Sequence, residues 1–173
     1  NWKAKEVIMA RRIGDLNDLE RRNYPMGVEN GNSGNCPTQT LVDAYEMRAA
    51  GKLWNEAGSG YDPQKPYEGR DPRFAMTIAV NGEKNWPSYN AAALETYYGG
   101  SNGEPKVGAT PTGYYLKKLL DGTVNISSVN SNSKRHSWVA YRLGEFYLNY
   151  AEAMFKYSRS ADAVTPDLPM SAR

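Results

Sequence analysis

The chain has 173 residues, of which 40% are hydrophobic and 23% charged, with a formal net charge of +2; this is enough for one globular domain with a real core. Its basic residues are scattered in pairs, so the concentrated positive field that nucleic-acid binding needs is missing. No apolar run reaches transmembrane length, and Cys36, the single cysteine, excludes an intrachain disulfide and metal sites built on paired cysteines.

The first part of the chain predicts short elements separated by loops. Lys5 to Ile13 has an apolar centre and predicts a short strand or one helical turn, and Asp15 to Arg22 is weakly helical. Residues 38–47 predict a short helix with Thr38 as its N-cap. Frequent Gly and Pro then make residues 50–71 an extended ordered loop or a flexible one, which carries the aromatic candidates Trp54 and Tyr61.

The middle of the chain predicts a hairpin followed by loops. Phe74 to Val80 predicts a strand, closed by a tight turn at Asn81-Gly82. A returning strand would pass through Trp86, where Pro87 argues for an edge or a break. Residues 112–120 predict a short extended or helical piece, and a polar Ser/Asn linker follows it.

The stretch from Asn81 to Asn102 combines aromatic rings with amides, in a chain that has 13 Tyr but only 3 Phe. Sugars present apolar C–H faces and rings of hydroxyls, so a site for them needs flat aromatic faces and groups that donate and accept hydrogen bonds. The pattern predicts a glycan-binding surface made of Trp86, Tyr89, Asn85, Asn90, Tyr97, Tyr98, Trp54 and Tyr61. The alternative is that these rings fill the core beneath the loops.

The longest periodic segment is 137–157, which predicts a helix that begins at Ser137 as N-cap. Its polar strip pairs Arg142 with Glu145 and Glu152 with Lys156. The rest of its circumference is apolar, and such a helix normally lies in an interior. It therefore needs partner helices that the chain barely offers, and we expect the chain to be a piece of a larger protein.

Catalytic groups are sparse. His136 is the only histidine, and no nucleophile signature surrounds Cys36 or the serines. Glu145 and Glu152, about 10.5 Å apart at the Cα atoms, could suit a glycosidase, but salt bridges explain them better. Asp62, Glu68 and Asp71 leave a structural cation open without the spacing of a calcium loop. The sequence thus predicts no enzyme and no cofactor, and it assigns no residue to a metal site.

Five separated motifs resemble the SusD/RagB family: PTQTLVDAYEM (37–47), YDPQKPYEGRDPRF (61–74), Asn81-Gly82, TGYYLKK (112–118) and YRLGEFYLNYAEA (141–153). The resemblance implies a mainly α fold, a scaffold of tetratricopeptide-like helices with an irregular, loop-rich region and short β-hairpins. The chain would be a fragment from the C-terminal half of that fold. Its parts would be a leading segment (1–36), the irregular region (37–136), and a repeat-type helix with the start of its partner (137–173).

The resemblance also implies a function. Family members are surface lipoproteins of the outer membrane that bind oligosaccharide or polysaccharide, without hydrolysing it, for uptake through a TonB-dependent transporter of the SusC type. The lipid anchor would lie outside this stretch. The shared motifs look structural, so they transfer no ligand contacts. The rival hypotheses are a helical-repeat scaffold that binds a protein or peptide, and a glycoside hydrolase that uses Glu145 and Glu152.

Overall fold

A computed structural model describes residues 4–158. Its elements in chain order are β1 (Val7–Leu16), α1 (Asp18–Asn23), α2 (Gln39–Asp43), α3 (Pro72–Thr77), β2 (Ile78–Ala79), β3 (Tyr115–Leu116), β4 (Lys134–Arg142) and α4 (Leu143–Ser158). The fold is 21% helix and 17% strand, so the prediction of a mainly α class is wrong. The reason is that long Gly-, Pro- and Asn-rich stretches between α2 and β4 fold into turns.

The chain forms two compact units, one from its two ends and one from Asp15–Lys134. In the first, β1 pairs with β4, and α4 begins directly after β4. Ser137 lies within β4, so the prediction that it caps the helix is wrong. Trp138, Val139 and Tyr141 favour a strand once a partner strand is present, and the helix begins only at Leu143.

Helix α4 exposes much of its apolar surface. Leu148 is 73% exposed and Tyr157 is 88% exposed, and Phe146, Tyr150 and Phe155 are each exposed by about half. Helices with apolar residues around most of their circumference are normally covered. The periodicity therefore predicted the helix correctly from Leu143 onward, and much of its apolar side is exposed.

The second unit has two hydrophobic clusters on either side of a small sheet. β2 and β3 pair antiparallel, with Ile78 opposite Leu116 and Ala79 opposite Tyr115. Successive strand residues point to opposite faces. Ala79 and Tyr115 thus join one cluster with Tyr24, Trp86, Leu94, Val124 and Ile126, while Ile78 joins the other with Val42, Phe74 and Tyr114.

The predicted hairpin around Asn81-Gly82 is only partly correct. The turn exists, with Gly82 at φ +81 and Glu83 N donating to Val80 O at 3.2 Å. Most of the predicted strand 74–80 is instead α3, because Asp71 accepts a hydrogen bond from Arg73 N at 2.8 Å and Pro72 fits the first helical turn. No strand returns through Trp86 in the described chain, since β2 pairs with β3.

The short N-terminal predictions hold. Thr38 caps α2, with its Oγ1 accepting from Leu41 N at 3.3 Å. The weakly helical segment contains α1, and the apolar centre near Val7 lies in β1 rather than in a helical turn.

Candidate functional site

Trp86, which leads the predicted glycan surface, lies in the core. It is 9% exposed, and its ring meets the buried Tyr24 edge to face at 5.8 Å between centroids. The Lys117 ammonium lies 5.4 Å from its ring centroid. A Cβ on Gly122 would come within 2.4 Å of the indole, so the backbone packs directly on the ring. A sugar has no room to stack here.

Tyr89 and the nearby amides give no open surface either. Tyr89 is half-buried against the same cluster, with its ring centroid 6.3 Å from that of Tyr24, and burial raises the pKa of its hydroxyl. Asn90 is half-buried and donates to Ala92 O at 3.3 Å. Asn85 is exposed in the left-handed region at φ +57, which suits a turn.

Tyr97 and Tyr98 point outward, in contrast. Tyr97 is 55% exposed and Tyr98 79%. Tyr98 borders an open depression of about 410 Å³ whose other walls come from one loop: Glu104, Pro105, Lys106, Val107, Gly108 and Ala109. A flat ring beside a carboxylate and an ammonium is the combination that the sequence argument required, although two of its three members were not predicted.

The loop that carries this depression is held by its own backbone. Gly100 N donates to Tyr97 O at 2.9 Å, and Lys106 N donates to Gly103 O at 3.2 Å. The Lys106 ammonium donates to Ser101 O at 2.9 Å, which ties the two sides of the loop together. A site built on such turns is ordered before the ligand arrives and loses less entropy on binding.

Asn102 fastens the loop to the rest of the unit. It is 4% exposed; its Oδ1 accepts from Glu95 N at 3.0 Å, and its Nδ2 donates to Met26 O at 2.8 Å. Its carbonyl oxygen accepts from the Tyr115 hydroxyl at 2.5 Å. Buried polar groups that are satisfied in this way fix one conformation. Asn102 therefore anchors the loop that follows Tyr98 to Met26 and Tyr115.

Trp54 and Tyr61 form a second aromatic surface, in which Trp54 is exposed and Tyr61 is half-buried. Their ring centroids are 5.5 Å apart, edge to face, and Trp54 is 36% exposed. The guanidinium of the buried Arg70 lies 5.2 Å from the Tyr61 ring centroid and donates to Tyr45 O at 2.9 Å. The structure thus brings two predicted residues together, and one of them, Tyr61, also makes a cation–π contact with Arg70.

Glu104 and Lys106 are the residues that sequence reasoning missed. Both flank Pro105 in the loop directly after the Tyr97-Tyr98 pair. Charged residues in a Gly- and Pro-rich loop next to adjacent tyrosines were the available signal. Composition alone did not separate them from the solvated charges elsewhere in the chain.

Three of the five carboxylates considered for catalysis or metal binding form ion pairs. Glu152 pairs with Lys156 at 2.7 Å, as predicted, and hydrogen bonding to Lys156 lowers the pKa of Glu152, the wrong direction for a general acid. Glu68 pairs with Lys65 at 3.3 Å and Asp71 with Arg73 at 2.6 Å. Within residues 4–158, no group of three or more potential metal ligands comes together.

Comparison with known proteins identifies similar sequences and folds. Residues 5–166 match the family described as the SusD family, which confirms the resemblance of the five motifs. A SusD-like protein from Bacteroides fragilis is 25% identical, with a TM-score of 0.66 over 93% of this chain and 34% of that one. A SusD-like carbohydrate-binding protein from the same organism is 21% identical, with a TM-score of 0.61 over 89% and 30%.

The chain therefore spans about a third of the length of these two solved structures. Among proteins of curated function, none matches it. None of the helices in the described range is long and apolar enough to cross a membrane.

Proposed function

The chain belongs to the SusD family, and from that premise we propose that it binds oligosaccharide or polysaccharide without catalysis. One structural neighbour is described as carbohydrate-binding. The observation that carries the proposal for this chain is Tyr98, whose ring is 79% exposed beside an open depression. Large aromatic side chains normally bury most of their surface, so a ring held outward in an ordered loop suits a ligand with an apolar face.

The size and chemistry of the depression suit a sugar. Its volume of about 410 Å³ lies within the range of about 300–1,000 Å³ for small-molecule sites. The Tyr98 ring would cover the C–H face of a pyranose. The Glu104 carboxylate would accept hydrogen bonds from hydroxyls, and the Lys106 ammonium would donate to ring or hydroxyl oxygens. Trp54 and Tyr61 offer a further stacking surface for a longer chain.

The remaining parts of the proposal come from the family resemblance. The protein would be a surface lipoprotein of the outer membrane, anchored through a segment outside this stretch, and would deliver glycan to a SusC-type TonB-dependent transporter. Its place in nutrient uptake would then be polysaccharide capture. The lowered pKa of Glu152 supports capture rather than hydrolysis, because a glycosidase acid needs a raised pKa.

The test is affinity electrophoresis of the chain in gels that contain plant, host and microbial polysaccharides. We expect one glycan to retard the chain, and Tyr98→Ala to weaken that retardation about tenfold, which corresponds to about 1.4 kcal/mol of lost stacking. Tyr98→Phe keeps the ring and should retain most of the affinity. Met76→Ala, at a residue 71% exposed outside the depression, is the matched control for loss of a surface apolar group.

Retardation that is unchanged in Tyr98→Ala but lost in Trp54→Ala would move the site to the second aromatic surface. No retardation by any polysaccharide would overturn the proposal. It would favour a scaffold that binds a protein or peptide, for which the exposed apolar side chains of α4, such as Leu148 at 73%, are the supporting observation.

A further inference from the structure

We propose that Gly27 is a positioning residue of the glycan site: the absence of a side chain at this residue lets the Ser101 carbonyl hold the Lys106 ammonium in place for a sugar. The inference rests on the proposed function, because it names a residue on which the same site depends. Gly27 does not line the depression and lies far from it in sequence. It would therefore affect binding only through the residues that it contacts.

The Lys106 side chain, which lines the depression, is held by a backbone oxygen. Its ammonium donates to Ser101 O at 2.9 Å. Within residues 4–158, no carboxylate forms an ion pair with Lys106. An ammonium has three N–H groups, so two remain for a ligand after this bond is made. The place from which Lys106 offers these donors therefore follows from the position of Ser101 O.

Ser101 O lies directly beside Gly27. A Cβ at residue 27 would come within 2.3 Å of Ser101 O and 2.7 Å of Asn102 Nδ2. A backbone carbonyl cannot swing aside as the end of a flexible side chain can, so a side chain at residue 27 would displace Ser101 O. The two segments cannot simply separate either, because Asn102 Nδ2 donates to Met26 O at 2.8 Å.

Met26, the neighbour of Gly27, makes a second contact with the same loop. A Cβ on Gly108, which lines the depression, would lie 2.8 Å from Met26 Cε. The segment of Met26 and Gly27 therefore touches the loop at Ser101 and at Gly108. It supports the depression from outside the lining residues.

Gly27 also has a local reason to be glycine. Val28 N donates to Pro25 O at 3.1 Å, so Gly27 is the third residue of a β-turn. Its φ of +95 is one that glycine adopts readily and that other residues seldom adopt. A test must therefore separate strain in this turn from displacement of Ser101.

Gly82 is the matched control for that strain. It is likewise the third residue of a turn, closed by the hydrogen bond from Glu83 N to Val80 O at 3.2 Å, and its φ is +81. A Cβ on Gly82 would meet nothing within 4 Å. Gly82→Ala thus strains a turn of the same kind without pushing a neighbour.

The experiment is a double-mutant cycle of Gly27→Ala and Lys106→Met, with Gly82→Ala measured in parallel. Met keeps an unbranched side chain and removes the ammonium. Affinity electrophoresis over a series of polysaccharide concentrations gives the Kd of each variant, with amylose, mannan and xylan as the first probes before the wider panel. Circular dichroism shows whether each variant is folded.

We expect Lys106→Met to weaken binding about tenfold, because one hydrogen bond from a charged donor is lost. Gly27→Ala should weaken binding about threefold in the wild-type background and hardly at all in the Lys106→Met background, since coupled residues are not additive. Gly82→Ala should bind as the wild type does.

An equal loss of affinity from Gly27→Ala in both backgrounds would overturn the inference, as would wild-type affinity in Gly27→Ala. If Gly27→Ala fails to fold, Lys106→Met alone still decides, because wild-type affinity in that variant would leave Gly27 nothing to position. In each of these cases glycan binding at Tyr98 would stand. Absence of wild-type retardation by every polysaccharide would overturn the proposed function, and this inference with it.

Discussion

Two pairs of aromatic residues in the same stretch lie in opposite environments. Trp86 and Tyr89, the inner pair, pack on Tyr24 in the core, whereas Tyr97 and Tyr98, the outer pair, are 55% and 79% exposed. Both pairs belong to one run of aromatic and amide residues. Composition therefore identifies a segment that could carry a glycan site, but it does not tell which rings face the ligand.

The backbone around each pair explains the difference. The inner pair is covered by residues distant in sequence, including Tyr24 and Val124. The outer pair precedes tight turns in which a Cβ on Gly100 would lie 2.3 Å from Glu95 O, and one on Gly103 would lie 2.2 Å from Tyr97 O. Turns this tight leave no volume for a ring inside the loop, so both tyrosines point outward.

Replacing the inner Trp86 by Ala gives the largest expected effect. The substitution removes a buried indole from the Tyr24 cluster and should cost about 3–5 kcal/mol of unfolding free energy. Urea unfolding followed by circular dichroism measures it. Tyr98→Ala is the control, and it should change stability by less than about 0.5 kcal/mol because the ring is exposed.

Trp86→Ala also tests whether the inner pair contacts the glycan. Glycan retardation of the folded fraction of Trp86→Ala should equal that of the wild type. If Trp86→Ala stays as stable as the wild type but loses retardation, then the inner ring is the ligand contact and the distinction between the pairs is wrong.

Asn102→Ala should have the next largest effect, because this residue fastens the loop of the outer pair. Truncation leaves Glu95 N and Met26 O without their partner and should cost about 1–3 kcal/mol per group left buried. We also expect weaker glycan retardation, since Tyr98 would no longer be held in place. Hydrogen exchange of the amides in 97–106 measures the loosening.

Asn90→Ala is the matched control, since the Asn90 side chain donates to Ala92 O, only two residues away. If exchange in 97–106 rose equally in both variants, Asn102 would have no special role in holding the loop.

Much of the local structure could be predicted from the sequence, and the site could be predicted only in part. The Thr38 cap, the turn at Gly82 and the Glu152–Lys156 pair depend on neighbours within a few residues. The partner of β2 and the cover over Trp86 come from distant parts of the chain, so local patterns could not reveal them. Composition named Tyr98 as a candidate, but it did not name Glu104 and Lys106, which line the depression beside it.

Unfolding at alkaline pH tests whether the buried Tyr114 hydroxyl ionises later in the folded state than in the unfolded chain. Burial, followed by the neighbouring Tyr67, raises the pKa of Tyr114 to about 12, against about 10 in the unfolded chain. Above pH 10 the unfolded state therefore loses this proton first, so Tyr114 contributes stability that is present below pH 10 and lost as pH rises toward 12. Unfolding free energy should fall less steeply over this range in Tyr114→Phe.

Tyr98→Phe is the control for loss of a phenolic hydroxyl at an exposed position. Identical slopes in Tyr114→Phe and the wild type would mean that Tyr114 ionises equally in the folded and unfolded states, contrary to its burial.

Among these substitutions, replacement of Asp71 should change the free energy of unfolding least. Hydrogen bonds from the Arg73 side chain and backbone lower the pKa of Asp71 to about 2. Since its unfolded pKa is about 3.9, the folded state holds the proton less tightly, and the contribution of Asp71 is present above pH 4 and lost as pH falls toward 2. Asp71→Asn should flatten this part of the acid limb in a thermal-unfolding series.

The side-chain amide introduced by Asp71→Asn could still cap α3, because Asn is as good an N-cap as Asp. The substitution therefore isolates the charge from the cap. Arg73 is 75% exposed at its side chain, so solvent screens the pair and the Tm at neutral pH should change much less than in Trp86→Ala. If Asp71→Asn lowered the Tm at neutral pH as much as Trp86→Ala does, the Asp71–Arg73 pair would contribute as much to stability as the buried indole.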